Sequence, residues 1–194
     1  MCESGGLVKI AKGTYHLPKV SKYGIVPPSE KEIISAFTEN ETGTVVGYSL
    51  YNSLNLTTQI SKTVIVMSSA LEGLTKSIRN VIEHQVPLEF SKEITNMVHG
   101  LEVLQNFNEI EDINYSAFLA YTERLAESFS AAAFEEIVSA KAYKKSTIAF
   151  LREILNYYKV QNNLNAHLST LSEYKYPKME ELQETTRIYK ASGS

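Results

Sequence analysis

The chain holds a single aspartate, Asp112, among 22 acidic residues, and that scarcity bounds the chemistry it can perform. Metal-dependent phosphoryl transfer usually draws on paired aspartates, because hard divalent cations need several carboxylate oxygens converging on one point. The four histidines, His16, His84, His99 and His167, stand far apart without HxxxH or HExxH spacing, and Cys2 is the lone cysteine. Such a scatter suggests no zinc ligand set, and one thiol permits no intrachain disulfide. The nine glycines build neither GxxxxGK[ST] nor GxGxxG, so no phosphate loop is evident. Glu173-Tyr174-Lys175 matches the E-x-K fragment of nuclease-like metal sites. That fragment needs an acid on a neighbouring strand, and residues 164–176 read as helical or irregular. No GxSxG elbow accompanies the serines, which leaves acyl transfer without support. The expectation is a protein with no catalytic residues, no metal and no cofactor.

Composition points the same way. A chain of 194 residues with 43% hydrophobic and 21% charged side chains can bury a sizeable core. Its formal net charge is −3, but the charge is unevenly spread. Residues 1–22 carry Lys9, Lys12, Lys19 and Lys22 against one acid, Glu3, whereas residues from 101 onward carry 10 basic and 13 acidic side chains. The four lysines are the candidate nucleic-acid contacts, through phosphate charge alone. No run approaches the roughly 18 apolar residues of a membrane span, and no apolar segment follows a basic start. A cytoplasmic protein without a membrane partner is expected, ending in a flexible Ala191-Ser192-Gly193-Ser194 tail.

The elements follow from pattern. Residues 7–18 read as a β-hairpin turning at Lys12-Gly13, with Ile10 opposite Tyr15 and Val8 opposite Leu17 on one apolar face. A loop then runs to Pro27-Pro28. Ser29-Glu30-Lys31-Glu32 is a capping box opening a helix whose inner face is Ile33, Ile34 and Phe37. Thr44-Val45-Val46 suggests a short strand and residues 48–55 a helix turning Leu50, Tyr51 and Leu54 inward. Residues 62–68 (KTVIVMS) are the clearest strand, rich in β-branched residues, and 74–90 hold one or two more. Beyond residue 93 the texture is helical, with segments at 114–129, 131–142, 146–158 and 178–189. The expected class is α+β: an N-terminal hairpin and small mixed sheet with helices, followed by an all-helical C-terminal half. The expected division is 1–22, 23–110 and 111–190.

Two stretches carry more than generic pattern. KIAKGTYHLPK (residues 9–19), followed by YGIVPPSEKEII (23–34), and VVGYSLYNSLNLTTQISKTVIVMS (45–68) resemble the AbiEi family of abortive-infection antitoxins. In that family a G-hydrophobic-Y-x-x-P hairpin closes a winged helix, a P-x-x-x-E-I helix comes next, and a G-x-x-A-x-N-x-L-G-L-T-T-Q segment leads into a strand. Gly13, Tyr15 and Pro18 match the first pattern, and Pro28 and Glu32 the second. Gly47, Asn52, Leu54, Leu56, Thr57, Thr58 and Gln59 match the third. Ser49-Leu50 stands where the family tends to have a small residue, and Asn55 replaces the usual glycine. Asn tolerates a left-handed backbone, so Asn55 is expected to end its helix as glycine would. The Leu56–Gln59 stretch is expected to be a turn whose hydroxyls and amide satisfy loose backbone groups.

The resemblance covers roughly residues 8–90 and implies a role rather than a reaction. It implies an antitoxin that counteracts a nucleotidyltransferase-like toxin, without specifying whether the two form a stable complex. In the family a helix-turn-helix precedes the hairpin; here only MCESGGL does, so the hairpin reads as a wing without its recognition helix. DNA binding should then be weak or absent, because a wing touches mainly phosphate and minor groove. The rival reading is a winged-helix transcriptional regulator with an incomplete N-terminal domain; a decayed nuclease is a third. Lys141, Lys144 and Lys145 flank Phe134, Ile137 and Val138 and are the candidate contacts for an acidic partner.

Overall fold

In the computed structural model, residues 8–192 are described except 12–13, 17–18, 23 and 72. The chain forms two compact units. The first comprises Met1–Val46 and Ser61–Ser91, the second Gly47–Ile60 and Lys92–Ser194. The fold is α+β, with the helices concentrated in the C-terminal half. The helical unit thus recruits the 47–60 segment and starts its main run at residue 92. The 110/111 boundary expected from the sequence falls inside it.

The first unit begins with two antiparallel hairpins: β1 (Val8–Ala11) with β2 (Thr14–His16), and β3 (Lys19–Ser21) with β4 (Gly24–Val26). The first corrects the expected register. Tyr15 lies opposite Lys9, not Ile10, and Val8 lies opposite His16, not Leu17. The pairing slips between Lys9 and Ala11, which leaves Ile10 as the extra residue of a bulge, and a bulge breaks the simple alternation of faces. The second hairpin occupies what the sequence suggested was loop. Its strands are only three residues long, too short for alternation to register, and Gly24 supplies the positive φ of 111° at its turn.

Helix α1 (Glu30–Thr38) starts as expected. The Ser29 hydroxyl accepts from the Glu32 N–H at 3.3 Å, and the Glu32 carboxylate accepts from the Ser29 N–H at 2.8 Å. The box places Ile33 and Phe37 on one buried face. That face packs on a four-stranded mixed sheet of order β5-β6-β8-β7, where β5 is Gly43–Val46, β6 Val64–Ser68, β7 Thr75–Ile78 and β8 Val81–Gln85. β6 and β8 run parallel in the centre, and the other neighbours are antiparallel. Val64, Val66 and Val81 face α1, with Leu71 closing the cluster. Gly43 is required there, since a Cβ would strike the carbonyls of Phe37 and Met67.

One residue on this sheet violates the pattern. Glu83 sits opposite Val66 in the parallel register and is fully buried, yet neither carboxylate oxygen meets a hydrogen-bond partner on another described residue. Loss of hydration raises its pKa from 4.5 to about 7, only partly offset by its own backbone N–H and by Lys76 across the β7 pairing. The unfolded chain releases this proton near 4.5, whereas the native carboxyl keeps it to about 7. Stability contributed at low pH is therefore lost as pH rises through that window. Relative to Glu83→Gln, the wild type should lose up to about 3 kcal/mol between pH below 4.5 and pH above 7. Urea unfolding of both chains across pH checks this; a constant difference refutes it.

Candidate functional site

The second unit contains Gly47–Ile60 of the 45–68 stretch. Gly47 takes φ 68° and ψ −150°, a region open to glycine alone, and launches α2 (Tyr48–Ser53). The helix ends as the sequence suggested: Asn55 is left-handed at φ 58°. The Asn55 N–H donates to the Asn52 carbonyl at 2.9 Å and the Leu56 N–H to the Tyr51 carbonyl at 2.8 Å. These are the two bonds of a Schellman cap, so Asn55 serves where glycine is the usual residue.

Beyond the cap, residues 56–59 form a hydrogen-bonded clasp with distant chain. The Asn52 amide donates to the carbonyls of both Thr57 and Gln59 at 2.8 Å. The Thr57 hydroxyl donates to the Glu111 carbonyl at 2.6 Å and accepts from the Gln59 N–H at 3.1 Å. The Gln59 amide donates to the Asp112 carboxylate at 2.5 Å, and the Asn114 N–H donates to the Leu56 carbonyl at 2.7 Å. Leu56 is fully buried beneath this network. Thr58 alone is exposed and bonded to nothing among the described residues. The motif thus holds residues 111–114 against the α2 loop, and the lone aspartate serves structure. Asn114 then caps α4 (Tyr115–Glu127) by accepting from the Ala117 N–H.

The remaining helices are α3 (Lys92–Gln105), α5 (Ala131–Ala140), α6 (Lys145–Tyr157) and α7 (Met179–Ser192). Phe107, Phe118 and Phe150 form the aromatic centre, with ring centroids 4.7–6.1 Å apart. Among the described residues no helix is long and apolar enough to cross a membrane.

The three candidate partner-binding lysines separate. The Lys141 ammonium donates to the buried Glu102 carboxylate at 2.7 Å and lies 4.0 Å from the Tyr143 ring centroid. It is a structural cation, not a free surface charge. Burial, with the Glu102 carboxylate beside it, pushes the pKa of the Tyr143 hydroxyl up. Tyr51, on the same unit, is pushed to about 12, first by burial. Lys144 and Lys145 are exposed and form no ion pair among the described residues. Of the four candidate DNA-contacting lysines, Lys9 lies on β1, Lys19 on β3 and Lys22 in the turn after it; Lys12 falls outside the described residues, as do Gly13 and Pro18. Glu173-Tyr174-Lys175 lies outside regular structure, where the Tyr174 hydroxyl accepts from the Ser169 N–H.

Sequence reasoning missed two clefts. One, of about 440 Å³, runs between α3 and α4 and is lined by Asn96, His99, Tyr121, Arg124, Leu54 and Leu125 among others. Gly100 permits that close pairing, since a Cβ there would strike Leu125. The Tyr121 hydroxyl is buried without a partner among the described residues, and burial raises its pKa. The other, of about 560 Å³, is lined by Ile110, Asp112–Ser116 and Thr186. The helical spacing of 96/99 and 121/124/125 was a legible signal, but it does not distinguish a cleft from a packed seam.

The chain matches no family model, no curated protein and no solved structure.

Three substitutions test these roles. Lys141→Met leaves the Glu102 charge buried and unpaired and should cost roughly 2–3 kcal/mol, while Lys145→Met should stay within about 0.5 kcal/mol of wild type. Thr57→Val strips a partner from both the Glu111 carbonyl and the Gln59 N–H and should cost about 1–3 kcal/mol. Denaturant unfolding measures all three, and an unchanged midpoint for Thr57→Val would show that the clasp does not hold the unit.

Proposed function

We propose that this chain is a cytoplasmic, non-catalytic antitoxin that counteracts a nucleotidyltransferase-like toxin. The observation that supports the reading most is the state of Asn55. The resemblance to AbiEi-type antitoxins rests on a Gly47-to-Gln59 pattern whose chief departure is Asn55 in place of glycine, and Asn55 adopts the left-handed backbone that glycine would serve. The matched residues Gly47, Asn52, Leu56, Thr57 and Gln59 cooperate in one local structure.

Partner contact falls to the exposed cations of the helical unit. Lys144 and Lys145 remain candidates, whereas Lys141 is committed to Glu102. Any DNA binding in this reading is weak and sequence-independent, carried by backbone charge through Lys9, Lys12, Lys19 and Lys22.

The test is co-expression with the cognate nucleotidyltransferase-like toxin. The full chain should restore growth, and Lys144→Glu with Lys145→Glu should weaken rescue while leaving the melting transition unchanged. Failure of the wild-type chain to rescue overturns the antitoxin reading. Tight, salt-resistant binding to one operator sequence in a mobility-shift assay would instead favour a transcriptional regulator.

A further inference from the structure

Tyr121 on α4 pairs deep burial with an unused polar group. The residue is 7% exposed, and its hydroxyl has no hydrogen-bond partner among the described residues. Such a group has given up its water and gained nothing in return, which costs stability. Burial raises its pKa above the ordinary tyrosine value, so at neutral pH it keeps a proton to donate.

The charge that acts on this hydroxyl is Arg124, one helical turn further along α4. Arg124 is exposed and forms no ion pair with a described residue. Both residues line the cleft of about 440 Å³ between α3 and α4. A hydroxyl and a guanidinium, each a donor without an acceptor among the described residues, therefore meet at one cleft. Leu54 and Leu125 give that cleft apolar wall, and Asn96 and His99 stand about one turn apart on its α3 side. Its volume lies within the roughly 300–1,000 Å³ usual for small-molecule sites, which combine apolar walls with a few convergent polar groups.

We propose that this cleft binds a small organic monocarboxylate, with Arg124 and Tyr121 as the two donors to its carboxylate and Leu54 and Leu125 as the seat of its apolar body. A carboxylate offers one oxygen to each donor and carries the single negative charge that Arg124 balances. A dianion is disfavoured by Glu127, the one acid on the lining, and a neutral acceptor would leave Arg124 uncompensated. The hydroxyl is closed to bulk water, so a neighbouring side chain must shift to admit the ligand. Arg124 is exposed, and exposed side chains change rotamer within picoseconds to nanoseconds. The site is independent of the antitoxin reading, because its readout is binding and not rescue.

The experiment is an amide-resolved NMR titration of the full chain with hydrocinnamate at constant ionic strength. Hydrocinnamyl alcohol removes the charge from this probe, acetate removes its apolar body, and inorganic phosphate replaces it with a bare dianion. Saturable shifts along α3 and α4 are expected with hydrocinnamate, and each control should bind at least about tenfold more weakly. Arg124→Gln and Tyr121→Phe should each weaken hydrocinnamate binding by about tenfold. Tyr121→Phe removes only the unbonded hydroxyl, so its melting transition should hold or rise; a purely structural tyrosine would not couple that change to lost affinity. Absence of saturation in the millimolar range, any control binding as tightly as hydrocinnamate, or wild-type affinity in either variant overturns the proposal.

Discussion

Residues 47–60 are tied into the helical unit by the hydrogen bonds of three side chains, one at the end of α2 and two in the turn after it. Asn52, Thr57 and Gln59 together satisfy the carbonyls of Thr57, Gln59 and Glu111 and engage the Asp112 carboxylate. Thr57 itself is buried, so loss of its hydroxyl would leave the Gln59 N–H and the Glu111 carbonyl without their partner. The clasp also explains why residues 47–60 fold with helices that lie far along the chain. Gly47 and Asn55, in backbone states that most residues avoid, bracket it at either end of α2.

Charge inside the molecule is handled in two contrasting ways. Glu102 is nearly buried but holds Lys141 at 2.7 Å, and that pairing keeps its charge tolerable. Glu83 has no such partner and instead retains its proton to about 7. A carboxyl that costs stability near neutral pH marks a place where the sheet is not optimised for stability alone. The Tyr121 hydroxyl is likewise buried without a hydrogen-bond partner among the described residues, and the Tyr143 hydroxyl is buried beside the Glu102 charge. Each is a local weak point in an otherwise satisfied core.

For function, the structure redistributes the candidates and does not simply add to them. Lys141 moves from surface contact to internal pairing. The Leu56–Gln59 stretch is the hydrogen-bonded turn that the sequence suggested, with Thr58 exposed. Lys144 and Lys145 stay exposed at the start of α6.

Much of the fold was legible because its causes are local. The Ser29–Glu32 box, the β-branched run at Val64–Val66 and the spacing of apolar residues in α4 and α6 each depend on neighbours within a few positions. Asn55 as a left-handed cap was readable for the same reason. Three features were not readable, because tertiary contact decided them. The bulge at Ile10 shifts a register that local alternation cannot report. Glu83, in Val-Ile-Glu-His-Gln, reads as the polar face of a strand, and only parallel pairing beside Val66 under α1 buries it. Lys141 reads as a solvated lysine, and only packing brings it to Glu102, 39 residues earlier in the chain. Periodicity and capping act over one or two turns of chain, so the sequence alone determines the elements; partners for buried charge come from distant segments, so only the tertiary structure selects them.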